Sequence, residues 1–568
     1  MKTSLEVKSR RNNSFDPLRA SLWMDLTYAI LWDSCGWLAG TSDLEIVQAA
    51  MTETTVKGRL AQLNFLPALD LAQYAGDVMV LRFQRQVRAL AKRYMFTESQ
   101  SDALELDALK QFSDNQSRLA AFEDDWSKGH RTFERLLYGR KYVIEDRSGF
   151  DPKLRSVLDK ARSVLWEAKL DLWDRDDLGQ ALKVGPGSTI GISGPDTSVY
   201  SKLVRAETLT GNSASRLWLY SIADPSLLRV LKAKPFTETL YSELLFVDKN
   251  DKEKRVICRE AVVNALVQQS ARYPLERGLK RLGINLATQW EHHRDLANHA
   301  SIFGDLATMD LSKASDSWLA RPVKYLLQDF PNLLELVDDC RSSEIRYNGR
   351  KLVTSTYVTM GNACTFPLQT LLYYAIARAI CGSDATVSVF GDDIILPVQY
   401  FNELSDVLTS LGFIVNTTKS YSTGCFRESC GGDYYRGAEC RPVSFEAPGS
   451  GEKQTVLAWL YARMNSFLSK FSSWGLDAQS TKTREVCLLL ISKYCHQPHW
   501  VPNWFPEDSG IHITWKPENA TFEDLGIKSS FGPRENRWIV CPPVPIGLCV
   551  DGVLSGLWMR SGHAFVRA

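Results

Sequence analysis

Two features predict an α+β fold, and a third bounds it. The first third of the chain shows helical periodicity, residues 305–419 alternate strand and helix patterns, and the stretch 497–546, rich in Pro, Trp and turn formers, reads as irregular surface-wrapping structure and not as a further catalytic core. At 568 residues the chain exceeds a single ordinary core, so two to four subdomains are expected. Its 44% hydrophobic and 23% charged residues are those of an ordinary globular protein, which excludes wholesale disorder.

The 67 basic and 66 acidic residues nearly cancel, so any surface for a polyanion has to be a local cluster. Twelve cysteines occur without a CxxC pair or a repeated zinc spacing, which fits reduced thiols in a cytosol. The opening MKTSLEVKSRRNNSFDP has no apolar run behind its basic residues, as a secretory signal would require. TFPLQTLLYYAIARAICG (365–382) carries Pro367, Gln369 and Arg378, which favours a buried helix over a membrane span.

In the first third, residues 70–96 and 158–173 repeat apolar positions at helical spacing. VGPGSTIGISGPDTSVY (184–200) then reads as an irregular loop or boundary; a phosphate-cradling loop would normally carry GK[ST], which it lacks. KNDKEKRVICR (249–259) gathers Lys249, Lys252, Lys254, Arg255 and Arg259, either a solvated face or a phosphate-binding cluster. A helix follows, kinked at Pro274, with a second basic set at Arg272, Arg277, Lys280 and Arg281.

From 305 the order is strand, helix, hairpin, helix, strand. DLATMDL (305–311) reads as a strand ending at Asp310, and SKASD, with Asp316, suits a helix start. Met360-Gly361-Asn362 leads into the apolar helix that Gly382 is placed to stop. SVFGDDIILP (388–397) is a β-hairpin with Asp392 and Asp393 at its tip, and FIVNTTK is a strand ending near Lys419. A small sheet with helices on one face is the economical packing.

Gly and Asp suit a tight turn, and adjacent carboxylates also suit a cation; the hairpin alone leaves both readings open. If Asp310, Asp392 and Asp393 converge on one sheet edge, their repulsion calls for hard cations. Mg²⁺ then fits best, with two ions able to serve an in-line phosphoryl displacement and the basic cluster holding triphosphate.

DLATMDLSKASDS, TYVTMGNACTFPLQTL, VSVFGDDIILP, GFIVNTTKSYS and GCFRESCGGDYYRG occur in the order of the palm motifs of viral RNA-dependent RNA polymerases. The wording of GDDIILP and FRESCG resembles the replicase beta subunit of single-stranded RNA bacteriophages, the group that includes phage Qβ, over residues 245–445. The resemblance implies a right-hand polymerase of fingers, palm and thumb with a ferredoxin-like (RRM-like) antiparallel palm sheet. It implies a palm at 305–420, fingers at 184–304, a thumb and C-terminal region at 421–568, and a mostly helical region at 1–183 bridging fingers and thumb.

It also implies site roles. Asp310 and Asp392 would bridge two Mg²⁺ ions, or Mn²⁺ in their place, with Asp393 assisting, and Lys419 would protonate the leaving pyrophosphate. Lys249, Lys254, Arg255 and Arg259 would meet the triphosphate, while Asp316 and Asn362 sense the ribose 2′-hydroxyl. Either of the last two could instead cap a helix. Gly361 would give backbone freedom near the template, and Arg427, in the FRESCG turn, would support template or product. Implied partners are single-stranded RNA, ribonucleoside triphosphates, host elongation factors Tu and Ts and a small-subunit ribosomal protein, in the cytoplasm of a bacterial host. Two other readings are the replicase of a capsidless fungal or mitochondrial RNA element and a non-catalytic RNA-binding packaging protein.

Overall fold

The strand Asp393–Pro397 buries Ile394, Ile395 and Leu396 in succession. Successive side chains leave a strand on opposite faces, so this run needs cover on both. A computed structural model of the chain supplies it. The structure describes residues 17–513, apart from 92–97, 129–130, 138–139, 147–148, 194–196, 205–207, 211–236, 240, 251, 343, 353, 445–446, 477–480, 497 and 504. The amino-terminal MKTSLEVKSRRNNSFD and most of the Pro- and Trp-rich tail therefore lie outside the described residues.

On one face of the sheet the helix Thr365–Cys381 packs Leu368, Leu371, Leu372 and Ala375 into a core shared with Val389, Ile394 and Leu396. On the other, the helix Gln289–Phe303 brings Leu296 and Ala300 against Leu306 and Ile395. The single-faced packing expected from sequence is thus corrected to a sandwich. Each fully buried Leu or Ile is worth roughly 1.5–3 kcal/mol, which makes covering the second face strongly favourable.

The sheet runs Ser388–Phe390, Asp393–Pro397, Leu306–Met309, all antiparallel, with Phe390 opposite Asp393 and Met309 opposite Ile394. Beyond its last strand, Thr308 and Tyr421 exchange main-chain bonds of 3.0 and 2.7 Å. The stretch 305–311 is not one strand. It breaks at Asp310, and Leu311–Ser312 pairs instead with Ile414–Val415. The break is held in place because Asp310 spends its N–H on the Ser420 hydroxyl (3.0 Å) and its carbonyl on the Asn416 N–H (2.9 Å).

Helix ends differ from the periodic reading where capping residues decide them. The helix within 70–91 begins only at Val78, because the Asp77 carboxylate accepts the N–H groups of Met79 (2.7 Å) and Val80 (3.2 Å). The next periodic helix is Pro152–Ala168: Asp151 caps it, Pro152 opens it, and Lys169 in the left-handed region ends it. The helix Val262–Arg281 runs through Pro274, and Gly382 (φ 82°) stops Thr365–Cys381 as expected.

The two largest cores gather helices from far along the described chain. Phe150, Leu154, Leu158 and Leu165 join the core beneath the sheet. Trp23, Leu26, Phe83 and Val87 instead join Leu460, Tyr461, Phe467, Phe471 and Ile491, so helices from both ends of the described chain share a second core. Among the described residues no helix is long and apolar enough to cross a membrane.

Candidate active site

The tip of the acidic hairpin is built by Gly391. Its φ of 66° closes the two-residue turn between Phe390 and Asp393, and a Cβ there would lie 2.5 Å from the Phe366 ring. Its N–H donates to the Thr370 hydroxyl (2.9 Å), which ties the tip to the helix Thr365–Cys381. Asp392 occupies the turn. Asp310 follows Met309, the residue opposite Ile394, so it reaches the same sheet edge from the neighbouring strand.

The electrostatics register that convergence. Burial raises the Asp392 carboxyl above its ordinary value and the charge of Asp310 adds to it, while Lys419 and Arg255 oppose. Asp310 is raised by burial and eased by Lys419, by a 2.7 Å hydrogen bond from the Asn416 amide, and by Lys249. Asp393 is pushed up to about 7 by burial and by Asp392. Its Oδ2 accepts the Cys430 N–H at 3.0 Å and the thiol at 3.3 Å.

Strand alternation separates Lys254 from Arg255 within the basic cluster. Arg255 is exposed and acts on Asp392, and Lys249, paired with Glu253 at 2.9 Å, acts on Asp310. Lys254 points the opposite way. Its ammonium is buried against the Ser101 hydroxyl (2.6 Å), Glu105 (3.1 Å) and Asp248 (3.3 Å). Arg259 is paired across the strands with Glu243 at 2.7 Å.

Asp316 and Asn362 meet at one turn. The Asp316 carboxyl, raised to about 6 by burial, accepts the Met360 N–H at 3.3 Å, and the Asn362 N–H returns to the Thr359 carbonyl. The Asn362 side chain accepts the Cys364 N–H at 2.8 Å, an Asx turn that leads into the helix Thr365–Cys381 without capping it, since the N-cap residue is Cys364. Gly361 (φ 119°) allows close approach, since a Cβ there would run into the Cys258 carbonyl oxygen. The Cys258 N–H reaches the Met360 carbonyl at 2.7 Å, so the turn is fastened to the strand Lys254–Arg259.

Arg427 is fully buried and gives its guanidinium to the carbonyls of Leu306, Thr423, Gly424 and Phe426 at 2.8–3.1 Å. In the 184–191 loop the carbonyls of Gly185 and Gly187 accept from the buried Lys202 ammonium, the reverse of a phosphate cradle, where N–H groups face an anion. Asn416, which fixes Asp310 twice, was not singled out from sequence, and Cys430, which fixes Asp393, reads there only as a core or loop thiol. Their only signal was position inside the NTTK and FRESCG motifs.

Two half-buried carboxylates whose proton affinity is raised, Asp310 by burial and Asp392 by burial and by the charge of Asp310, are hard oxygen donors suited to a divalent cation. Among the described residues, however, no group of three or more His, Cys, Asp or Glu side chains is gathered to hold a metal ion. Asp310 and Asp392 fit such an ion by chemistry and charge, while one oxygen of Asp393 is engaged by Cys430.

Residues 185–451, which contain every side chain from Lys249 to Arg427 placed above, match the model of the family "RNA replicase, beta-chain". The chain is 32% identical over 299 residues to the RNA-directed RNA polymerase beta chain of Enterobacteria phage fr, covering 51% of this chain and 52% of that one. It is 36% identical over 220 residues to the RNA-directed RNA polymerase subunit beta of Escherichia virus Qbeta, covering 38% and 36%. The chain thus matches about half or less of the length of these curated relatives. The solved RNA-dependent RNA polymerase of BmCPV at elongation state superposes with a TM-score of 0.41 at 11% identity, covering 84% of this chain and 44% of that one, too slight a likeness to argue from.

Proposed function

We propose that this chain is an RNA-directed RNA polymerase, the replicase beta subunit of a single-stranded RNA phage, which joins ribonucleoside triphosphates on an RNA template. The observation that carries this reading is the meeting of Asp310 and Asp392 at one sheet edge, under Lys419 and Arg255, inside the segment matching the replicase family. In a right-hand arrangement, residues 305–420 are the palm, 184–304 the fingers and 421–568 the thumb and C-terminal region, with 1–183 bridging.

In the reaction the 3′-hydroxyl oxygen of the growing strand forms a bond to the α-phosphorus and the bond to the β-phosphate oxygen breaks. Asp310 and Asp392 would hold a divalent cation such as Mg²⁺, which would supply Lewis-acid chemistry for the phosphate oxygens and ease loss of the 3′-hydroxyl proton to water. Lys419, already beside both carboxylates, gives a proton to the departing pyrophosphate. Lys249, in the turn, and Arg255 face the triphosphate, and Lys254 and Arg259 brace the strand Lys254–Arg259 that carries Arg255. Asp316 and Asn362, joined at the Thr359–Asn362 turn, meet the ribose 2′-hydroxyl; a site built to pair a hydroxyl penalises its absence.

The test is template-directed incorporation of labelled ribonucleotides by purified protein, with and without bacterial elongation factors Tu and Ts and a small-subunit ribosomal protein, in wild type and Asp392→Asn. Incorporation that the substitution abolishes supports the reading. Failure of wild type under every condition overturns the enzyme, and an Asp392→Asn protein as active as wild type overturns the site. A packaging protein would bind RNA through its basic segments and be indifferent to Asp392.

A further inference from the structure

Cys430 stands at the end of the strand Phe426–Ser429 with a φ of 47°, a conformation that side-chain-bearing residues seldom adopt. In that conformation its main-chain N–H and its thiol both reach one atom, Oδ2 of Asp393, at 3.0 and 3.3 Å. The thiol is itself held. The Ser429 hydroxyl lies 3.8 Å from Sγ, and the same hydroxyl is 2.9 Å from Nδ1 of His293, a fully buried residue of the helix Gln289–Phe303. Where the hydroxyl donates to sulfur, Nδ1 carries the proton and donates to the hydroxyl, which fixes the tautomer. A chain of contacts thus runs from the helix behind the sheet, through Ser429 and Cys430, to the second aspartate of the hairpin.

We propose that Cys430 is a positioning residue that holds Asp393 by one oxygen, leaving Oδ1 as the oxygen free to serve the Asp310–Asp392 pair. The proposal rests on the reading of that pair as the cation-binding centre of a polymerase. The strained backbone has a consequence for sequence: a residue at 430 must tolerate positive φ and also donate from its side chain. Ser keeps both donors, Ala keeps only the main-chain N–H, and neither adds bulk.

The experiment compares wild type, Cys430→Ala, Cys430→Ser, Asp393→Asn and the double variant Cys430→Ala/Asp393→Asn. Two quantities are read: Mn²⁺ affinity, from the spin-resonance signal of free Mn²⁺ without nucleotide, and kcat and KM for ribonucleotide incorporation. Loss of one side-chain donor predicts that Cys430→Ala weakens Mn²⁺ binding and lowers kcat by about fivefold, with KM for the nucleotide unchanged. Cys430→Ser restores both to within about twofold, and Cys430→Ala adds nothing in the Asp393→Asn background. An undiminished Mn²⁺ affinity in Cys430→Ala, a Ser variant as impaired as Ala, or an equal Ala penalty with and without Asp393 overturns the proposal. If wild type polymerises nothing, the polymerase reading fails by itself, and the Mn²⁺ measurements still decide the role of Cys430.

Discussion

Asn416 holds Asp310 from two sides: its amide nitrogen donates to Oδ2 of Asp310 at 2.7 Å, and its main-chain N–H donates to the Asp310 carbonyl at 2.9 Å. The second bond fixes the chain where the strand breaks, and the first fixes the carboxylate. Asn416→Ala removes only the side-chain bond. A lost hydrogen bond to a charged group costs about 1.5–3 kcal/mol, so incorporation should fall roughly ten- to a hundredfold while RNA affinity stays near wild type. Asn416→Asp places a further negative charge on Asp310 and should be worse than Ala. Steady-state incorporation by the two variants checks this, and a harmless Asp would show that Asn416 does not face the charged form.

Gly391 is required twice over. Any other residue meets both the left-handed backbone and the Phe366 ring. Gly391→Ala should lose about 1–2 kcal/mol to the backbone alone, and more to the ring. The companion Phe366→Leu should return part of the loss by making room. Urea unfolding of the two single variants and the double variant measures this, and strict additivity would show that the ring is not the obstacle.

Much of this site was legible because its chemistry is local. Gly-Asp-Asp between two β-prone runs can hardly be other than a hairpin tip, and Gly382 after an apolar stripe marks a helix end. What was not legible depended on partners far along the chain. The helix Gln289–Phe303 presents a polar sequence, EHHRDLANHASIF, so its role as cover for Ile395 emerges only once the sheet exists. Arg427 reads as a surface cation until four carbonyls from two segments are folded around it. The division of Lys254 from Arg255 needed no tertiary knowledge. Strand alternation already sends neighbours to opposite faces, and a cluster counted along the sequence overstates what one ligand can meet.

The raised carboxyl of Asp316 makes stability depend on pH. Its folded pKa is about 6 against an ordinary 3.8, so between those values the folded chain holds a proton that the unfolded chain has lost. Stability from this group is therefore complete below pH 3.8 and falls as pH rises through 6, by on the order of 3 kcal/mol in all. Asp316→Asn should be more stable than wild type at pH 8 and show no such gain at pH 4. Denaturant midpoints at the two pH values check the sign, and an equal effect at both would mean that Asp316 is charged in the fold throughout. The same variant should admit deoxynucleotides more readily if Asp316 senses the sugar.

Arg427 should behave as a structural pin. Its four carbonyl bonds cannot be reproduced by the three donors of a lysine in this geometry, and Arg427→Ala would strand buried carbonyls of Leu306, Thr423, Gly424 and Phe426. Unfolding free energy should drop by about 3–5 kcal/mol for Ala and less for Lys. RNA affinity, measured well below the melting transition, should be little changed. A stable Arg427→Ala protein with selectively weakened RNA binding would return this residue to the template and product role.

The two neighbours Lys254 and Arg255 should separate cleanly. Arg255 is exposed and acts on Asp392, so Arg255→Ala removes charge where the triphosphate is proposed to sit. KM for nucleotides should rise roughly tenfold with kcat reduced less, the pattern of lost ground-state binding. Lys254 is enclosed by Ser101, Glu105 and Asp248, and Lys254→Met leaves Glu105 without its partner against the long helix Glu98–Lys128. Breaking that pair should cost stability on the order of 1–3 kcal/mol and leave KM close to wild type at temperatures where the variant is folded. Thermal melting and nucleotide titrations on the same two proteins distinguish them. If Lys254→Met raised KM as much as Arg255→Ala without loss of stability, both cations would have to face the nucleotide, and the packing of this strand against the helix would have to change when substrate binds.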